Sequence, residues 1–114
     1  MAKKSREKGK RGERAAAKEL AMLFPGAKRN HSQADGADDS DVRGVPLWVE
    51  VKVGKAPPIQ AAMEQARRDT DGRPPVVMSK KDRGEWLITM PLNVFRGLFP
   101  QALPDNDGWA EFLD

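Results

Sequence analysis

The sequence contains no cysteine, which excludes disulfides, thiolate nucleophiles and cysteine-ligated zinc together. Its one histidine, His31, stands alone at the end of a short predicted strand, a setting that suits a surface or hydrogen-bonded residue and not a general base. No stretch approaches the ~20 apolar residues of a membrane span, and no apolar run of signal-peptide length follows the basic start. The expectation is therefore a soluble, cytoplasmic chain with no membrane partner. P-loop, GxGxxG and serine or cysteine triad patterns are missing as well, and any metal bound here would have to be held by oxygen.

The 114 residues give room for one domain with a modest core. Charged residues make up 32% of the chain and the net charge is +3, but the signs are unevenly placed. Lys3, Lys4, Arg6, Lys8, Lys10, Arg11, Arg14 and Lys18 crowd the start, whereas Asp105, Asp107, Glu111 and Asp114 make the end acidic. This division predicts a basic N-terminal leader over 1–12, a main domain over 13–100 and an acidic tail over 101–114. The leader would be drawn to phosphate and the tail repelled by it; a solubilising tail is the plainer explanation of the leader. Phe95, Leu98, Phe99, Trp109, Phe112 and Leu113 are many apolar groups for such an ending, and predict packing on the core or on a second copy.

Periodicity orders the elements. Ala16, Ala17, Leu20, Leu23 and Phe24 recur at helical spacing and predict a helix over 13–24, stopped by Pro25-Gly26. A short strand over 27–31 and a polar loop, SQADGADDSD, follow. Residues 41–43 and 47–53 read as two strands joined by Gly44-Val45-Pro46 in a hairpin. Ile59, Ala62, Met63 and Ala66 fall at i, i+3, i+4 and i+7, an amphipathic helix opened by proline and ending near Asp71-Gly72. Strands over 76–79 and 85–89 and a short helix over 94–99 complete an α/β chain with a mixed central sheet and flanking helices.

The segment LWVEVKV is the most strand-like in the sequence, yet it carries a carboxylate and an ammonium. Alternation puts Leu47, Val49, Val51 and Val53 on one face and Trp48, Glu50 and Lys52 on the other. In a simple hairpin Asp41 would lie opposite Glu50, with Cβ atoms ~5 Å apart, close enough for two carboxylates to grip one divalent cation. Mg²⁺ suits such an oxygen-only site because it keeps several waters. Lys52 beside it could orient the attacking water or stabilise charge on a phosphate. A solvated Glu50/Lys52 pair is the competing explanation. Glu13 heads the stripe Ala17, Leu20 and Phe24 on the first helix; it either favours the helix dipole or reaches the same site. Trp48 either stacks on nucleic acid or packs beneath a helix. The DGADDSD run lacks the spacing of an EF-hand loop.

These residues carry a resemblance. Lys8-Gly9-Lys10-Arg11-Gly12-Glu13-Arg14 resembles the KGxxxER opening of archaeal-type Holliday junction resolvases. Asp41-Val42 and Trp48-Val49-Glu50-Val51-Lys52 resemble the aspartate strand and the ExK strand of the same enzymes. The likeness covers residues 8 to about 90 and points to the PD-(D/E)xK nuclease superfamily, with its restriction-endonuclease-like αβββαβ core. It implies that Glu13, Asp41 and Glu50 bind Mg²⁺, with Mn²⁺ able to substitute, that Lys52 is the catalytic lysine, and that Gln65 matches a glutamine of the second helix. Arg29 and Ser32 lie where these enzymes carry an Arg/Ser pair. The Asp41 to Glu50 spacing is shorter than in the archaeal proteins, as in compact phage-encoded relatives; with a shifted register Asp38 or Asp39 would be the ligand.

The resulting expectation is a metal-dependent endonuclease that hydrolyses branched DNA as a homodimer. Lys4, Lys8, Lys10, Arg11, Arg14, Arg29, Ser32 and Lys55 would contact DNA, with Lys80, Lys81 and Arg83 as possible extensions of that surface. Its competitors are a related nuclease acting on duplex, flap or single-stranded DNA, a catalytically silent DNA-binding module, and a protein-interaction adaptor built on the acidic end.

Overall fold

A computed structural model describes residues 2–30 and 40–98, with side chains from Arg6 onward. His31, Ser32, Asp38, Asp39 and the 101–114 tail lie outside the described residues, as does the Lys4 side chain.

The first helix, α1 (Ala2–Leu20), begins well before the predicted start at Glu13, so the basic leader is its first half. Lysine, arginine and glutamate are good helix formers, and Lys3/Glu7 and Glu7/Arg11 stand at the i, i+4 spacing that supports a helix. Regular helix stops at Leu20, and a turn in which the Phe24 N–H donates to the Leu20 carbonyl (2.7 Å) carries the chain to Pro25. Ala16, Ala17 and Leu20 are buried as predicted, and Phe24 packs against them; Leu23 is exposed. Gly12 is the contact point with the sheet. A β-carbon there would lie 2.9 Å from Cγ2 of Val53, so only glycine lets the helix cross this strand so closely. Gly12→Leu is expected to push α1 off the sheet and cost about 1–3 kcal/mol, read as a lowered Tm in thermal unfolding.

Two short strands, β1 (Lys28–Arg29) and β2 (Val42–Arg43), pair antiparallel with Lys28 opposite Arg43 and Arg29 opposite Val42. Here the structure corrects the expected hairpin: β2 pairs with β1 and forms no ladder with the next strand. The turn between them explains the departure. Gly44 has φ +79°, and a β-carbon on it would run into the Gly26 carbonyl, so the chain is pressed against the α1–β1 connection at this point.

β3 (Trp48–Gly54) runs parallel to β4 (Pro75–Lys81), with α2 (Ile59–Asp69) as the crossover, and β5 (Trp86–Thr89) returns antiparallel to β4. The expected single sheet is thus divided into a mixed three-stranded sheet, in the order β3-β4-β5, and the two-stranded β1-β2 sheet. Val49, Val51, Val76 and Met78 pack against Ala16, Ala17 and Leu20 of α1 on one face. Trp48 and Val77 pack against Ala62, Met63 and Ala66 of α2 on the other. Alanines at two of these three α2 positions let that helix lie close to the strands. Trp48 is therefore a core residue, with the Arg73 guanidinium 5.2 Å from its ring centre, and not a platform for bases. A last helix, α3 (Leu92–Leu98), buries none of its residues, and its Leu92, Phe95 and Leu98 are exposed, as are Leu87 and Ile88 on the two faces of β5. Among the described residues no helix is long and apolar enough to cross a membrane.

Candidate active site

The outer edge of β3 is closed by side chains. Asp41 makes one backbone bond there, its N–H donating to the Val49 carbonyl (2.7 Å). The Val49 N–H donates to Oγ of Ser40 (2.9 Å) and the Val51 N–H to Oδ2 of Asp41 (2.8 Å). Asn30 fixes the segment in turn, its Nδ2 donating to the Ser40 carbonyl (2.8 Å) and its N–H to the Asp41 carbonyl (3.1 Å). Asn30, Ser40 and Asp41 are all buried. Asp41 thus bonds to the groups on either side of Glu50, which sets it level with Glu50 although no regular ladder joins the two segments, and its carboxylate occupies a place that a strand would otherwise fill.

Glu50 projects from β3 on the α2 side. A cavity of about 440 Å³ opens there, lined by Lys8 and Glu13 of α1, Asp41, Glu50 and Lys52 of β3, and Gln65 of α2. All five candidate catalytic residues, separated by up to half the chain, therefore meet in one concavity. Glu50 is only 3% exposed. Burial, and after it the negative charge of Asp41, raises its pKa from the usual 4.5 to about 7, while Lys52 pulls the other way. The Trp48 indole N–H is buried with no hydrogen-bond partner among the described residues. Glu50 and Lys52 form no ion pair. A buried carboxylate next to a second carboxylate, with an ammonium nearby but not in contact, is a costly arrangement for stability and a common one at sites of chemistry.

Glu13 takes a different part. Its Oε1 accepts a hydrogen bond from Nε of Arg29 at 3.0 Å, both side chains being largely buried. The resemblance implied a metal ligand at Glu13 and a DNA contact at Arg29; in the structure the two hold each other at the wall of the cavity. Among the described residues no cluster of three or more aspartate, glutamate, histidine or cysteine side chains is placed to hold a metal ion. Asp41 and Glu50 remain a hard, oxygen-only pair facing one space, where a divalent cation would relieve the repulsion that a proton relieves otherwise.

Of the remaining predicted DNA contacts, Lys10, Arg11 and Arg14 are exposed along α1 and Lys55 is exposed just after β3. Lys8 lies 3.1 Å from Asp82 of the β4–β5 turn in an exposed pair. Sequence reasoning missed Asn30 and Ser40. The signal available was weak: a serine directly before the key aspartate, in a stretch rich in polar residues. No family model matches the chain, and neither do curated proteins or solved structures.

Proposed function

We propose that the chain is a divalent-metal-dependent DNA endonuclease of the PD-(D/E)xK type, similar to Holliday junction resolvases. The observation that supports this reading best is the convergence of Glu13, Asp41, Glu50, Lys52 and Gln65 on one cavity from α1, the β2 approach, β3 and α2. The order of elements along the chain, one helix, three strands, a crossover helix and a parallel strand, is that of the αβββαβ core of this superfamily and supports the reading, while β1 and β2 pair apart from the three-stranded sheet.

In this reading Asp41 and Glu50 hold Mg²⁺ or Mn²⁺, with water completing the shell. The cation, when bound, supplies Lewis-acid polarisation of the phosphate and acidifies water. Lys52 places its ammonium where charge builds up on the phosphate or where the attacking water must be oriented. Gln65 donates or accepts a hydrogen bond to that water. Glu13 fixes Arg29, whose guanidinium then has one preferred direction at the entrance. Recognition is by DNA shape and backbone charge. The protein acts as a homodimer, since two symmetric strands are cut, and the exposed Leu92, Phe95 and Leu98 of α3 supply apolar groups for the second copy.

The test is a cleavage assay on labelled four-way junction, duplex and single strand in Mg²⁺ and in Mn²⁺, with wild type and Lys52→Ala. Paired symmetric cuts on the junction, lost in the variant, are expected. Cuts on duplex or single strand alone would move the protein to a related nuclease. DNA binding without cleavage in either metal would leave a silent DNA-binding module. A second check needs no substrate: Mg²⁺ or Mn²⁺ should raise the Tm of the wild type at pH 8 by mass action.

A further inference from the structure

Beyond the cavity, α1 and β1 enclose a second, more open groove of about 620 Å³. Its walls carry Arg14, Lys18, Lys28 and Arg29, small residues such as Ala17 and Ala21 leave it open, and no carboxylate lines it among the described residues. Among the described residues Arg14, Lys18 and Lys28 enter no ion pair. Lys28 also stands in register with Arg43 across the β1–β2 ribbon, and both are exposed. Like charges directly opposed on neighbouring strands cost stability. The helix dipole accounts for Lys18 in the last turn of α1, but it does not account for Lys28 and Arg43 facing one another. An anion bound along this surface would relieve that repulsion. Arg29 lines the groove and bonds Glu13, which lines the cavity, so the two concavities adjoin across this pair.

We propose that this groove is a second contact surface for the DNA backbone, in which Lys18 and Lys28, with Arg14 and Arg43, hold phosphates of the duplex arm leaving the cavity. The proposal rests on the nuclease reading for the direction in which the strand runs. Alanines offer base edges no hydrogen bonds, so the contact is independent of sequence.

The experiment measures affinity for labelled junction and duplex in EDTA, between about 50 and 200 mM salt, for wild type, K18Q/K28Q and R67Q/R68Q. The last removes two exposed charges from α2, on the opposite face of the sheet. Each lost phosphate contact lowers the slope of log affinity against log salt by ~0.9. K18Q/K28Q is expected to lose about two in slope and roughly tenfold in affinity, while R67Q/R68Q follows the wild type. Thermal unfolding establishes that each variant is folded, and R43Q repeats the test with a single charge and a slope change of about one.

Equal slopes in K18Q/K28Q and wild type, or equal losses in both double variants, would overturn the groove and leave the nuclease reading standing if Lys52-dependent cleavage persists. Selective loss in K18Q/K28Q with no cleavage by the wild type would support the groove and remove the nuclease. Failure of the wild type to bind DNA at low salt would overturn both.

Discussion

Glu50→Gln is expected to abolish cleavage and at the same time to make the protein more stable above pH 7. Glutamine keeps the size of the side chain but cannot ionise, so a buried site next to Asp41 no longer has to accommodate a second negative charge. The sign follows from the raised pKa of Glu50, about 7 in the folded protein against 4.5 ordinarily. The folded state holds the Glu50 proton more tightly than the unfolded chain does. Stability is therefore highest below pH 4.5, declines between about 4.5 and 7, and levels off above. At pH 8 the substitution should recover about 2 kcal/mol after allowance for the solvent that reaches the cavity, roughly 10 °C in Tm for a domain of this size. Below pH 4.5 wild type and variant should melt alike. Thermal unfolding from pH 4 to 8 checks this, and a variant no more stable than the wild type at pH 8 would mean that Glu50 ionises there without penalty. Cleavage in Mg²⁺ should fall by on the order of 10³-fold or more.

Asp41 should separate differently, because its carboxylate also serves the backbone. Asp41→Asn can still accept the Val51 N–H through its amide oxygen, so the fold should be nearly unchanged. Asp41→Ala leaves that N–H, buried at the sheet edge, without an acceptor and should cost about 2 kcal/mol. Both variants remove the charge that raises Glu50, so the Glu50 pKa should fall in each while staying above the ordinary value, because burial persists. Carboxyl-carbon NMR titration reads this directly. Cleavage should be lost in both to the same degree, and an Asn variant that cuts normally would remove Asp41 from the chemistry.

Much of the scaffold could be read from the chain. The Val49/Val51 face, the Ala62/Met63/Ala66 stripe and the positions of β4 and β5 follow from side-chain periods, and packing agrees with them. The leader carries no apolar period from which a helix could be read, and residues 2–12 are helical through charged residues of good propensity. The 41–53 hairpin failed for a tertiary reason. The contact of Gly44 with Gly26 joins segments distant in sequence, and no local turn rule contains it. That Glu13, Glu50 and Lys52 should be considered together could be read from the ExK strand and the KGxxxER segment, and they do line one cavity, but their geometry could not. That Glu13 is held by Arg29, and that Asp41 faces Val51, depends on side-chain choices made after the strands are in place.

The closure of β3 by Ser40 and Asp41 has a consequence for behaviour in concentrated solution. A sheet edge with open N–H groups invites a strand from a neighbouring molecule, and long apolar edges of this kind seed aggregation. β3 is such an edge, rich in valine, and the N–H groups of Val49 and Val51 are capped by oxygens that also crowd and charge the approach. Asp41, a wall of the candidate site, thus also blocks the edge at which a strand from a neighbouring molecule would add.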